Sequence, residues 1–232
     1  ESSLLLAADY SQIDLRVLAH LSQDPKLVNA FMQGEDIHAT TASQVFGVPL
    51  SKVNKDMRRL AKTVNFGVIY GMSEYGLEQA TELSREQAAQ FIKAYFEKYS
   101  GVKEYLNRTK NEAAKNGYVQ TVLGRRRYIP EINSTNAQVR MSAERMAINM
   151  PVQGTSADII KVAMIQLQRE MDKHGLGATM ILQVHDELLF ELPSEEEEKL
   201  KELVLRIMPN AIRLSVPVKV DIKTGRSWGD ME

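Results

Sequence analysis

The chain contains no cysteine. That excludes a disulfide framework, a thiolate-ligated zinc and a thiol nucleophile, and it accords with a reducing cytoplasm. An excess of one charge sign is missing too: 29 Lys and Arg face 30 Asp and Glu, a formal charge of −1. A uniformly basic nucleic-acid coat is thereby excluded, so any polyanion site has to come from local clustering. No apolar run approaches the roughly 18 residues a membrane span requires, and no membrane partner is expected. There is no Gly/Ser linker, internal repeat or low-complexity tract. What remains is an ordinary globular balance, 44% hydrophobic and 25% charged over 232 residues, with chain enough for a sizeable core.

An apolar run from Ser2 to Ala8 ends at Asp9 and predicts a buried strand. From Gln12 the apolar positions Ile13, Val17, Leu18 and Leu21 fall at helical spacing, and Ser22 to Pro25 punctuates the end. Helices are expected almost throughout to about Asn149, with Ser84 and Gln87 as a capping box, breaks at Gly101 and Gly117, and a hairpin around Gly124. Pro151 is expected to break the preceding helix, and Thr155 with Asp158 to cap a next one running from Ile159 to Gly175. Strands Thr179 to Val184 and Glu187 to Leu192 are expected to meet at His185-Asp186. Ser194 with Glu197 then opens another helix, the acidic run Glu195 to Glu198 forms its solvated first turn, and Val216 to Ile222 is a final strand. Strands at both ends of a helical middle imply an α+β platform carrying a helical insertion. The abrupt start on a core strand, with no leader-like pattern, reads as part of a longer chain.

Three constellations carry chemistry. Asp9-Tyr10-Ser11-Gln12 places a carboxylate at a strand end just before a helix; taken alone, an N-cap is the stronger reading. His185-Asp186-Glu187 sits at a hairpin tip, where a two-residue turn prefers Gly, Asn-Gly or Asp-Gly, so His-Asp is poor local turn chemistry. Asp9 and Asp186 on adjacent antiparallel strands would suit a hard cation such as Mg²⁺, which uses one or two carboxylates plus substrate phosphate. In the third, Met57, Leu60, Ala61, Val64 and Val68 form one apolar stripe at 100° per residue. Lys55, Arg58, Arg59, Lys62, Phe66 and Tyr70 occupy the other half. Cations followed by aromatics suit a ligand with a phosphate tail and a planar base. Gly67 and Gly71 each cost a helix ~1 kcal/mol relative to Ala, which suggests close approach by a ligand or partner backbone.

In this order, Asp9-Tyr10-Ser11-Gln12-Ile13, then Arg58 to Gly71 with Lys62-Thr63-Val64-Asn65-Phe66-Gly67, then Val184-His185-Asp186-Glu187, the sequence closely resembles family A DNA polymerases of the bacterial DNA polymerase I type. The likeness extends over essentially the whole chain, Met150 to Thr155 included. It implies an antiparallel palm sheet in two segments, 1–21 and 141–232, with a largely helical fingers insertion at 22–140. It implies template-directed DNA synthesis in which Asp9, Tyr10 and Asp186 hold two Mg²⁺ ions, with Glu187 and Lys62 among the catalytic groups. Arg58, Lys62 and His38 would hold the triphosphate of a dNTP, Phe66 would lie against its sugar and base, Tyr70 near the templating base, and Tyr10, Gln12 and Asp14 around the nucleotide. Arg145, Asn149, Gln153 and His185 match positions contacting primer-template DNA, whose minor groove offers acceptors common to all base pairs. The family's usual Glu is Asp14 here, one methylene shorter, which predicts looser rejection of ribonucleotides. Thumb and exonuclease-like portions precede this region in the family and are expected as partners.

Rival readings are a single-subunit RNA polymerase, which shares the motif layout, and a noncatalytic nucleic-acid binder, against which retention of Asp9 and Asp186 argues. A carboxylate-metal nuclease explains the acids but leaves the cation and aromatic stripe without a task.

Overall fold

The structure is a computed structural model, and residues 3–231 are described. In chain order, β1 (Ser3–Tyr10) leads into α1 (Ile13–Ser22), α2 (Pro25–Met32) and α3 (Ile37–Val45). Helices α4 (Lys55–Ile69), α5 (Glu74–Ala80), α6 (Arg85–Lys98) and α7 (Ser100–Asn116) follow. A short hairpin, β2 (Tyr118–Gln120) and β3 (Arg126–Tyr128), precedes the 38-residue α8 (Ala137–His174). Last come β4 (Thr179–Val184), β5 (Glu187–Pro193), α9 (Glu197–Ile207) and β6 (Val220–Gly225). The expected first strand is β1, of which Ser2 lies outside the described residues. The chain clusters into two compact units, Glu1–Ile13 with Ser156–Glu232, and Asp14–Thr155.

The first unit is built on an antiparallel sheet in the order β4-β5-β1-β6. Period-two alternation puts Leu6, Ala8 and Tyr10 on one buried face, while Ala7 clusters with Leu189 and Met231 on the other, where Leu5 packs. Both faces of the two central strands are therefore covered, which is why β1 and β5 read as nearly unbroken apolar runs. The last strand begins at Val220, not Val216, because Pro217 has no N–H for the ladder and pairing with β1 starts at Tyr10 opposite Val220. The Ser194 and Glu197 cap is also not formed: a 3₁₀ turn, Ser194–Glu196, precedes α9, which starts without a side-chain cap. Nor is the acidic run merely solvated. Glu196 accepts from the Gly177 and Ala178 N–H groups at 2.9 and 3.0 Å, and Glu197 from Thr224 Oγ1 at 2.9 Å.

The second unit is helical. Ser84 and Gln87 form the expected capping box on α6, and Gly117, at φ 76°, ends α7. The expected hairpin forms about Gly124, at φ 79°. The break assigned to Gly101 lies instead at Tyr99, between α6 and α7. Gly101 is glycine for another reason: its N–H donates to Asp24 Oδ2 at 2.8 Å, and a Cβ there would stand 2.9 Å from the Asp24 Cα. Ala113, Val119, Ile129, Ile132, Ala143 and Ala147 make one core cluster joining α7, the hairpin and the first half of α8.

Pro151 does not end a helix. α8 passes through it unbroken, and Thr155 and Asp158 are buried in its interior instead of capping a new helix. A proline inside a helix costs ~3 kcal/mol. Ala147, Ile148, Val152 and Ile159, fully or almost fully buried on either side, outweigh that at ~1.5–3 kcal/mol for each large side chain. Thr155 Oγ1 accepts from the Val122 N–H at 3.3 Å, so its hydroxyl serves tertiary contact. Among the described residues no helix is long and apolar enough to cross a membrane.

Candidate functional site

β1 ends on a carboxylate, and register places two more beside it. Asp9 lies opposite Glu187 of β5 and opposite Asp221 of β6. Directly opposed residues of antiparallel strands share a face with Cβ atoms about 4.5–5.5 Å apart, where like charges repel. Asp186, in the β4–β5 turn, adds a fourth acid, close enough to Asp9 to raise its carboxyl. Burial raises the Asp9 carboxyl to about 6, and Asp186, Glu187 and Asp221 push the same way. Asp9 is thus a ladder residue and not an N-cap.

The turn itself is held from both sides. The Tyr10 N–H donates to the Asp186 carbonyl at 3.2 Å, and Gln183 Nε2 donates to the His185 carbonyl at 2.7 Å. His185 takes the left-handed conformation, φ 52°, at a cost of ~1–3 kcal/mol for a residue with a Cβ. Trp228 Nε1 donates to Glu187 Oε1 at 3.2 Å. Asp9, His185, Asp186, Glu187, Lys223 and Trp228 line a cavity of about 320 Å³.

No group of three His, Cys, Asp or Glu among the described residues is arranged to hold a metal ion. Two carboxylates set this close, one of them raised to about 6, nevertheless fit a hard divalent cation such as Mg²⁺, which takes one or two carboxylates and fills its remaining positions with water and substrate phosphate. Tyr10 offers only its main-chain carbonyl, since its buried hydroxyl donates to the Met208 carbonyl at 2.8 Å.

In the second unit the cations gather on α4 next to α3. Asp36 caps α3, accepting from the His38 and Ala39 N–H groups, and also takes Arg58 Nε at 2.7 Å. Partial burial works to raise the Asp36 carboxyl, but Arg58 and the helix amides outweigh it and hold it below the usual carboxylate range. Lys62 is exposed one turn after Arg58, and among the described residues it has no carboxylate partner. His38 is 2% exposed, its ring 5.9 Å from that of Phe66 and tilted 40° to it. Burial pushes the imidazole down to about 4, against Asp36 and with help from Arg58 and Lys62. His38 is therefore a neutral group, not a third cation.

At the far end of α4 the Tyr70 hydroxyl donates to Asp14 Oδ2 at 3.0 Å. Arg145, Asn149 and Gln153 repeat every fourth residue along one stripe of α8, with Arg145 and Gln153 exposed. Asn149 also braces the fold: with its amide nitrogen turned toward them, the Ile69 and Arg145 carbonyls lie at 2.8 and 3.3 Å. Gln12 lies in the β1–α1 turn at φ 56°.

The glycines near the aromatics are explained within the fold and not by a ligand. A Cβ on Gly67 would stand 2.9 Å from Met72 Sδ; one on Gly71, at φ 66°, would stand 2.7 Å from Ile148 Cδ1. Four residues were missed: Asp221, Trp228, Asp36 and Asn65. Asp221 and Trp228 are visible only through register and the C-terminal turn. Asn65 had a signal, a polar residue on the apolar stripe of α4, where it is fully buried.

The sequence profile of DNA polymerase family A matches residues 1–230. DNA polymerase I of Caldicellulosiruptor bescii is 51% identical over 97% of this chain, and that of Bacillus subtilis (strain 168) 51% over 98%. The POL domain of Pol1 from M. smegmatis, solved in complex with DNA primer-template and dNTP, superposes with a TM-score of 0.96 at 47% identity over 99% of this chain and 41% of its own. The chain spans about a quarter of the length of the two curated relatives, 26% in each. With a profile covering nearly every residue, relatives at half identity and motif acids paired at the end of β1, the chain belongs to DNA polymerase family A.

Proposed function

We propose that this chain carries the nucleotidyl-transfer centre of a DNA polymerase, adding deoxynucleoside monophosphates from dNTPs to a primer 3′-hydroxyl under template direction. The observation that supports it best is the pairing of Asp9 with Asp186 at the end of β1, an arrangement that raises Asp9 to about 6 and suits a cation. In this reading the palm, 1–21 with 141–232, contains the first unit, whose carboxylates, with the Tyr10 carbonyl, would hold two Mg²⁺ ions. When bound, the ions would supply Lewis-acid activation of the primer hydroxyl and charge neutralisation at the pyrophosphate. The fingers, 22–140, lie within the second unit. Its Arg58 and Lys62 meet the triphosphate, Arg58 keeping its terminal nitrogens while Nε holds Asp36. Phe66 packs against sugar and base, and the Asp14–Tyr70 bridge borders the sugar. Arg145, Asn149, Gln153 and His185 face primer-template, the Asn149 amide nitrogen also tying α8 to the end of α4.

The test is primer extension by this chain, alone and fused behind the N-terminal three quarters of the Bacillus subtilis relative. Extension of the fusion by dNTPs over NTPs, dependent on Mg²⁺, is expected. A fusion that binds primer-template but incorporates nothing, or that prefers NTPs, would overturn the reading.

A further inference from the structure

A buried polar chain lies behind the α4 cations. Tyr99, Thr41, Asn65 and His38 are each 2% exposed or less. Thr41 Oγ1 lies 3.5 Å from the Tyr99 hydroxyl and donates to Asn65 Oδ1 at 3.2 Å, and Asn65 Nδ2 stands 2.9 Å from His38 Nδ1. Buried polar groups persist when hydrogen-bonded, and a satisfied network rigidifies what it touches. The roles follow from donor chemistry. With Thr41 donating to the Asn65 oxygen, the amide nitrogen faces the imidazole. An amide nitrogen only donates, so His38 Nδ1 is the lone-pair nitrogen and the ring proton of a neutral imidazole sits on Nε2. Nothing among the described residues accepts from that Nε2.

We propose that Asn65 is a positioning residue that locks His38 as the neutral Nε2–H tautomer, fixing that N–H as a donor to a phosphate oxygen of the bound dNTP. The inference rests on the triphosphate reading of α4. It explains why a histidine stands beside Arg58 and Lys62 without adding to their mutual repulsion: a neutral N–H offers a directed hydrogen bond and no charge. The charged groups facing the ring are Asp36 from the N-terminus of α3, which favours protonation, and Arg58 and Lys62 from α4, which oppose it.

The test reads the proton directly. Long-range ¹H–¹⁵N correlation on histidine-labelled chain, with His38 assigned by the signal lost in His38→Gln, is expected at pH 7.5 to show the proton on Nε2 in the parent. In Asn65→Asp an acceptor replaces the donor, so the proton is expected on Nδ1 and the ring to hold its charge to higher pH. Saturation with dTTP is expected to shift the His38 Nε2–H resonance in the parent. A parent ring protonated on Nδ1, or an unchanged tautomer in a folded Asn65→Asp, overturns the proposal. An Nε2–H that ignores dTTP, while Lys62→Ala still weakens dTTP binding and Lys55→Ala does not, overturns the positioning role alone. Loss of the Lys62 dependence as well overturns the triphosphate reading, and the proposal with it.

Discussion

Asp9, Glu187 and Asp221 stand in a row across three antiparallel strands, and Asp186 meets Asp9 from the turn. Without a cation these acids oppose folding. Asp9→Asn is therefore expected to raise the metal-free melting temperature by ~2–4 °C, about 1 kcal/mol for a chain of this size, even as it removes function. Mg²⁺ is expected to stabilise the parent and not the variant. The single tryptophan, Trp228, reads the same event, because its indole N–H is on Glu187 and its emission is expected to respond to Mg²⁺ only in the parent. No rise in melting temperature, together with equal Mg²⁺ effects in both proteins, would move the cation site elsewhere. Asp14 carries a second expectation at this scale. Its bridge to Tyr70 holds the carboxylate in place, yet Asp ends one methylene short of Glu. Asp14→Glu in the fusion is expected to raise the dNTP to rNTP ratio of kcat/KM by ~10-fold, the effect of about 1–3 kcal/mol for one methylene. An equal or lower ratio would show that the missing methylene does not loosen ribonucleotide rejection.

Helix ends and their glycines govern the element scale. Gly47 and Gly71 share the left-handed conformation, at φ 64° and 66°, but only Gly71 is crowded, by Ile148 Cδ1 and Arg145 Cγ of α8. Gly47→Ala is expected to cost about 1 kcal/mol from backbone strain, and Gly71→Ala a further ~1–3 kcal/mol from overpacking. Thermal melting distinguishes them; equal losses would mean that α4 and α8 do not pack as described. The same contrast shows what was legible. Amphipathic spacing, the capping box and the β4–β5 turn could be read because each depends on neighbours within a few residues. Burial overrode local chemistry at Pro151, carried through α8 by packed neighbours, whereas at Pro217 local chemistry overlooked in the sequence, the missing N–H, delayed β6. Gly67 and Gly71 looked like room for a ligand because sequence cannot show Met72 and Ile148 folding back onto them.

At the scale of the whole molecule, order along the chain carried more than any one motif. Asp9 and Asp186 are far apart in sequence, and only the antiparallel register of β1 with β5 makes them a pair. Asp221 completes the row through a strand whose alternation gave no hint of it. Stability against acid follows from His38. In the unfolded chain its imidazole takes a proton near 6.5, in the folded chain only near 4. Between those values the unfolded state binds more protons, so the stability His38 contributes is complete above 6.5 and is lost as pH falls toward 4. His38→Gln is expected to flatten the melting temperature over that window; an unchanged slope would mean another group controls it.

The central claim is that the Asp9–Asp186 pair is the metal-dependent centre for nucleotide addition. Single-turnover incorporation of one dNTP by the fusion protein, with Asp186→Asn compared with the parent at saturating primer-template, tests it most directly. The account predicts a fall of more than ~100-fold with melting temperature maintained or raised. Incorporation within a few-fold of the parent would contradict it.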